Sequence, residues 1–177
     1  KERVILLDFS LDNYVPQLSL RENFRGDPGL VADEIAGSIK SSMDTSQFGA
    51  RMQYIMLNLY YAYSVDKTLS PADIRFLVSD SDKGRNLRRR VAEKIDHPLV
   101  KEFFLGEMEK ITYAQTGPVV ARIGRLLIHD KNFRIFSTKE SKIDFADIMD
   151  SPDNKIMLIN LSSGKLGIDR CQTLGSL

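Results

Sequence analysis

Few stretches of this chain hold residues that could do chemistry. The first is Ser162-Ser163-Gly164-Lys165-Leu166-Gly167, which follows an unbroken apolar run from Ile156 to Leu161. Glycine then lysine after a buried strand invites comparison with a phosphate-binding loop. In such a loop backbone N–H groups and the lysine hold phosphate oxygens, and a Ser or Thr hydroxyl holds magnesium. The comparison fails twice: Ile159 stands where the first glycine is needed, and Leu166 where the hydroxyl is needed. Ser163, Gly164 and Lys165 are therefore read as a glycine-rich exit from a strand.

The other candidates are weaker as catalysts. Asp8 sits near the carboxyl end of Val4–Phe9, where a carboxylate can hold a metal or accept hydrogen bonds in a turn; the turn acceptor is the plainer reading. His97 and His129 are the two histidines, and neither lies near a Cys or carboxylate at metal-ligand spacing. His97 precedes Pro98 and reads as a helix start, while His129 reads as a helix-end residue facing the C-terminal dipole. Nothing pairs a nucleophile with a base, so no catalytic, cofactor-binding or metal-binding residue is assigned. The nucleic-acid signal is the basic segment that carries Lys83, with Arg85, Arg88, Arg89, Arg90 and Lys94 as its candidate DNA-binding residues. Three consecutive arginines fan over about 200° of a helix, so they cannot all meet one phosphate row. Arg85, Arg89 and, more loosely, Lys94 share a face suited to phosphate contact. A solvated face with local salt bridges accounts for the same residues.

The elements that position these groups follow from pattern. Val4–Phe9 and Ile156–Leu161 are apolar without alternation, the habit of strands covered on both faces in a parallel sheet. In such sheets ligands bind beyond the carboxyl ends of the strands. Leu11 to Gly26 reads as loop. Asp27-Pro28 caps a helix with Val31, Ile35, Ile39 and Met43 along one face. A second helix from Thr45 or Ser46 carries Phe48, Met52, Ile55, Met56, Leu59 and Tyr63 as core. Ser70-Pro71-Ala72-Asp73 starts a third, turning Ile74, Leu77 and Val78 inward. The basic helix follows, with Leu87, Val91 and Ile95 as its stripe. His97-Pro98 opens a helix burying Leu99, Val100, Phe103, Phe104, Met108 and Ile111. Gly117-Pro118 opens another, burying Val119, Val120, Ile123, Leu126 and Leu127. Short helical pieces around Asn132–Phe136 and Asp144–Met149 precede a turn at Asp150–Asn154. A parallel crossover needs one helix; five or six imply a helical insertion.

Composition is consistent with this and excludes some classes. With 177 residues, 42% hydrophobic and 28% charged, the chain can bury a real core. A net charge of +1 argues against a generally basic coat for nucleic acid. The one cysteine, Cys171, excludes an internal disulfide and fits a reducing compartment. No apolar run reaches the ~18–20 residues of a membrane helix, and no signal peptide is evident. The chain starts just before its first strand and ends in what reads as an unfinished helix, so a longer parent protein is expected.

Taken together, the segments resemble the TraG-like conjugative coupling and type IV secretion ATPases of the HerA–FtsK group of DNA-pumping motors. The similar residues are Leu30-Val-Ala-Asp-Glu-Ile, Gly49-Ala-Arg-Met-Gln-Tyr-Ile-Met-Leu-Asn, Asp96-His-Pro-Leu-Val-Lys-Glu-Phe-Phe, and Pro118 with Ile123-Gly-Arg. The most specific are Asp147-Ile-Met-Asp, Lys155 through Gly167, and Leu174-Gly-Ser-Leu. The resemblance implies a mostly α chain: strand and loop of a RecA-like α/β core in 1–26, an all-helical insertion in 27–150, and a returning strand with the start of a helix in 151–177. It implies a parent that is a cytoplasmic ATPase, at the membrane face if a coupling protein, assembled as a hexameric ring on DNA with a relaxase or nuclease partner. ATP and Mg2+ would bind to Walker segments outside this chain, Ser163, Gly164 and Lys165 would form a loop at a subunit boundary, and this chain alone is expected to be inactive. The reading from another class is a non-enzymatic helical adaptor that docks a secretion substrate or a nuclease.

Overall fold

The computed structural model describes residues 3–21, 26–41, 49–141, 143–167, 171–172 and 174–175. The chain is mostly helical, with one small parallel sheet among the described residues. The expected core positions Met43 and Phe48 lie outside the described residues, as does the expected helix start at Thr45 or Ser46.

β1 (Val4–Asp8) and β2 (Ile156–Asn160) pair in parallel, in register from Val4↔Ile156 to Asp8↔Asn160. The Ile156 amide donates to the Arg3 carbonyl and the Phe9 amide to that of Asn160, at 2.8 and 3.1 Å, extending the ladder at both ends. Strand side chains alternate between faces. Leu7 and Phe9 point into the helical core with Ile5 and Met157 beside them. Val4, Leu6, Ile156 and Leu158 point the other way and remain 52%, 60%, 51% and 52% exposed. The expectation of strands covered on both faces is corrected: these helices cover one.

The helical part is built around α2 (Ala50–Val65), which packs against α1 (Pro28–Ser41), α3 (Ile74–Leu77), α4 (Asp82–Lys94) and α7 (Tyr113–Leu127). Asp27 caps α1, its carboxylate accepting from the Gly29 and Leu30 amides at 2.7 and 3.3 Å. Its stripe of Val31, Ile35 and Ile39 is buried as the four-residue spacing requires. α2 buries Met52, Ile55, Met56, Leu59 and Tyr63. A capping box of Ser70 and Asp73 opens a 3-10 turn at Pro71–Asp73 that runs into α3. The loop from Leu11 is irregular but not loose: Pro16, Leu18, Ser19 and Leu20 are buried, and the Leu18 amide bonds the Ile135 carbonyl at 3.0 Å. That carbonyl belongs to α8 (Asp130–Phe136).

Three boundaries differ from expectation. α5 (Pro98–Glu102) gives way to a π-helical turn, Phe103–Glu107, before α6 (Met108–Lys110). The widened turn brings consecutive Phe103 and Phe104 into the core and re-phases the stripe. Leu99, expected inside, is therefore 66% exposed. α7 begins four residues before Gly117-Pro118, because Thr112 and Gln115 form a capping box there. Pro118 then sits inside the helix, where it removes one bond near the N-terminal end. His129, expected at a helix end, is the N-cap of α8. α9 (Phe145–Met149) and a tight turn with Asn154 at φ 50° lead back to β2.

The basic helix α4 is seated by a glycine. A Cβ at Gly84 would lie 2.2 Å from the Ser79 carbonyl oxygen and 2.7 Å from that of Phe76. Backbone cannot retreat as a flexible side chain can. Gly84→Ala is therefore expected to destabilise the fold by about 1–3 kcal/mol despite alanine's better helix propensity, measured as a lowered urea midpoint with unchanged slope.

Candidate functional site

Two places hold the residues singled out by sequence: the carboxyl ends of the strands, and α4. At the strand ends Asp8, Ser10 and Asn160 form one cluster. The Asp8 Oδ1 atom accepts from the Ser10 amide at 2.8 Å, the Ser10 hydroxyl at 2.6 Å and the Asn160 Nδ2 at 3.1 Å. Asp8 is thus the turn acceptor and ties the two strand ends together. Beyond Asn160 only Leu161 and Ser162 intervene before α10 (Ser163–Leu166), a single helical turn. Ser163 and Gly164 lie in that turn, not in an open loop; the Lys165 side chain lies outside the described residues. A phosphate-binding loop needs a longer glycine-rich segment between strand and helix to wrap its anion. Two residues cannot do this, and Asn160 is already bonded to Asp8, so these residues do not fit a nucleotide phosphate.

In α4 the structure separates the cations. The Ser81 hydroxyl caps the helix by accepting from the Gly84 amide at 3.1 Å. Arg88 is only 4% exposed, and burial lowers its pKa from the ordinary arginine value. Its Nη1 donates to the carbonyls of Leu77 and Ser79 at 3.0 and 2.8 Å. It is a pin between α4 and the end of α3, and it cannot reach a phosphate.

Arg90 and Lys94 turn toward Asp66, at the C-cap of α2, whose side chain is fully buried. Lys94 Nζ lies 2.6 Å from Oδ1, and Arg90 Nη2 lies 3.5 Å from Oδ2 and 3.1 Å from the Thr68 hydroxyl. The Thr68 amide and hydroxyl also donate to Oδ1, at 3.0 and 2.7 Å. Burial alone pushes this carboxyl up, but the hydrogen bonds from Lys94 and Thr68 outweigh it and hold Asp66 below the ordinary carboxylate range.

Arg85 and Arg89 stay outward, as in part do Arg90 and Lys94, whose side chains remain 50% and 40% exposed, and as does Lys83, whose Nζ lies 3.9 Å over the Phe76 ring. Arg85 pairs with Asp82 at 2.7 Å, one turn back, and donates to the Asp80 carbonyl. Arg89 is exposed and has no partner among the described residues. So of the expected phosphate face of Arg85, Arg89 and Lys94, the first two stay on the surface and Lys94 is drawn to Asp66.

The neighbouring network was not legible in the sequence. The Arg21 guanidinium lies 4.2 Å above the Tyr63 ring and donates to the carbonyls of Tyr63, Asp66, Lys67, Leu69 and Lys139, at 2.8–3.2 Å. The Tyr63 hydroxyl accepts from the Leu20 amide at 3.0 Å and pairs with the Ser19 hydroxyl at 3.1 Å. The one local hint was Asp66-Lys67-Thr68, a turn-forming triplet at the end of a core helix. A further cluster joins Tyr54, whose hydroxyl donates to Glu107 at 2.8 Å, with Arg51 3.6 Å from the same carboxylate. Among the described residues no three His, Cys, Asp or Glu side chains converge as a metal would need. Nor is any helix there long and apolar enough to cross a membrane.

Compared with known protein families, curated proteins and solved structures, the chain matches none.

Two substitutions separate the pin from the surface. Arg88→Ala leaves two buried carbonyls without a donor and is expected to cost about 2–3 kcal/mol. Arg89→Ala is expected to stay within about 0.5 kcal/mol; chemical unfolding of both variants checks the contrast. Asp66 gives a pH signature. Its folded pKa is depressed, so its contribution is present above the unfolded value of about 3.9 and is lost as pH falls through the folded value. Urea midpoints across the acid range should fall more steeply for the natural protein than for Asp66→Asn, which should be less stable near neutrality.

Proposed function

We propose that this chain is a segment of an ATP-driven DNA translocase, in which an all-helical domain is inserted between two strands of a RecA-like sheet. The observation that carries the reading is the parallel pairing of β1 with β2, strands from opposite ends of the chain with the helices between them. The outer face of that pair supports it. Val4, Leu6, Ile156 and Leu158 are about half exposed, which forgoes on the order of 1 kcal/mol each relative to burial. A solvent-facing antiparallel or edge pair ordinarily carries polar residues there; a central parallel pair carries aliphatics because a second layer covers them. In this reading ATP and Mg2+ bind to segments outside this chain. Subunits form a ring, and the helical domain meets DNA or a protein partner.

A second reading, an adaptor domain that docks protein and does not touch DNA, is favoured by the fate of α4. Arg88 is wholly spent on internal acceptors, and Arg85, Arg90 and Lys94 are each paired with Asp82 or Asp66, which leaves Lys83 and Arg89 outward without an ion pair among the described residues. Cations paired and scattered in this way make a weak phosphate footprint.

The experiment uses the parent protein with its flanking sequence. DNA-stimulated ATP hydrolysis by an oligomeric preparation is expected; a properly assembled oligomer that binds DNA yet hydrolyses nothing overturns the motor reading. Within it, the double change Arg85→Ala with Arg89→Ala decides between DNA and protein contact. Weakened DNA affinity with a shallower salt dependence assigns the helical domain to DNA. Unchanged affinity and slope assign it to a protein partner.

A further inference from the structure

The turn after α2 gathers charge from four stretches of chain. Arg21 Nη1 takes up the carbonyls of Lys67 and Lys139, at 3.2 and 3.0 Å, which sets two distant lysines side by side. Both lysines are exposed, and neither side chain has a partner among the described residues. From α4, Arg90 and Lys94 reach Asp66 and Thr68 in the same turn. Asp66 carries one charge and meets two cations, so the spot stays positive after pairing. Donors are also left over. Among the described residues Arg90 is bonded through Nη2 alone, and Lys94 through one bond to Asp66. Their side chains remain 50% and 40% exposed.

We propose that this corner docks an acidic segment of a partner protein, whose carboxylates meet Lys67, Lys139 and the remaining donors of Arg90 and Lys94. Hydrogen bonds between two charged groups are the stronger kind. Arg90 and Lys94 are already held by Asp66 and lose little further freedom on binding. The arrangement selects this occupant over duplex DNA. Its cations converge on one turn from separate segments, whereas phosphates ask for cations in a row along the backbone. Glu93 and Glu140, exposed and next in sequence to Lys94 and Lys139, would stand against such a row. A short segment can place its carboxylates between them. A second copy meeting this corner with its own would set cation against cation, which disfavours it. The proposal rests on the reading in which the helical part docks protein, and names the chemistry of that partner. It needs neither nucleotide nor a ring.

The test uses Lys67 and Lys139, because changes at Arg90 or Lys94 would also unpair Asp66. The probe is a displayed library of random linear peptides, selected on the 177-residue chain. Enriched peptides are expected to be rich in Asp and Glu and to bind more weakly as salt rises. Lys67→Glu with Lys139→Glu should lower their affinity about tenfold or more. Lys101→Glu with Lys110→Glu makes the same change in net charge on α5 and α6, and should lower it about twofold or less. Thermal unfolding confirms that both variants fold, and Lys67→Gln with Lys139→Gln repeats the test without new anions near Arg21. Enriched peptides that lack acids, or that bind the Lys67 and Lys139 variants as well as the natural chain, overturn the proposal and leave protein docking in place. Equal losses in the two charge-reversed variants overturn it too, since net charge alone would then account for binding. A chain that selects no peptide, yet retains duplex DNA with an affinity that Lys67→Gln with Lys139→Gln weakens, overturns both the proposal and the protein-docking reading.

Discussion

One arginine holds the turn on which the helical part hangs. Arg21 comes from an irregular segment, lies across the Tyr63 ring and takes up the carbonyls of the α2 C-terminus and the turn after it. Those carbonyls have no partner within the helix, and buried orphans of this kind are costly. Within the same turn Asp66 points its carboxylate the other way, to Lys94 and Arg90. Backbone acceptors on one cation and a buried anion on two others lock α2, α4 and the segment before α1 in one arrangement. Such a network resists the loss of a member more than its net stabilisation suggests, because each removal leaves a charge or a carbonyl unpaired.

That arrangement ties much of a basic run to internal acceptors. Arg88 is consumed by the carbonyls that end α3, while Arg90 and Lys94 reach Asp66 with their side chains still half-exposed. A charge run on a helix carries no information about its partners until the neighbouring elements are in place. The exposed apolar surface lies instead on the outer face of the β1–β2 pair. The described residues do not cover that face.

The helical stripes were legible because burial follows the 3.6-residue period whatever surrounds it. Val31, Ile35 and Ile39, then Met52 through Tyr63, and Val91 with Ile95 all face the core as spaced. The strand pairing was legible for a similar reason, since two aliphatic runs with polar exits suit a parallel register. What failed was local punctuation. Pro118 reads as a helix start, but the Thr112–Gln115 box satisfies the orphan N–H groups earlier and wins. Leu99 reads as core, but the π turn that admits both Phe103 and Phe104 shifts the phase before it.

The sequence by itself determined that the chain is mostly helical, that its two aliphatic strands frame the helices, and that Ser162–Gly167 cannot hold a phosphate as a nucleotide loop does. Those are properties of residue type and spacing along the chain. Only the tertiary structure decided which charges are paired, that Asp8 clasps the strand ends through Ser10 and Asn160, and that one face of the sheet stays open. Pairing of Asp66 with Lys94, or of Arg21 with Lys139, joins residues far apart in the chain. No local pattern encodes such a contact; it exists only once packing has brought the two ends of it together.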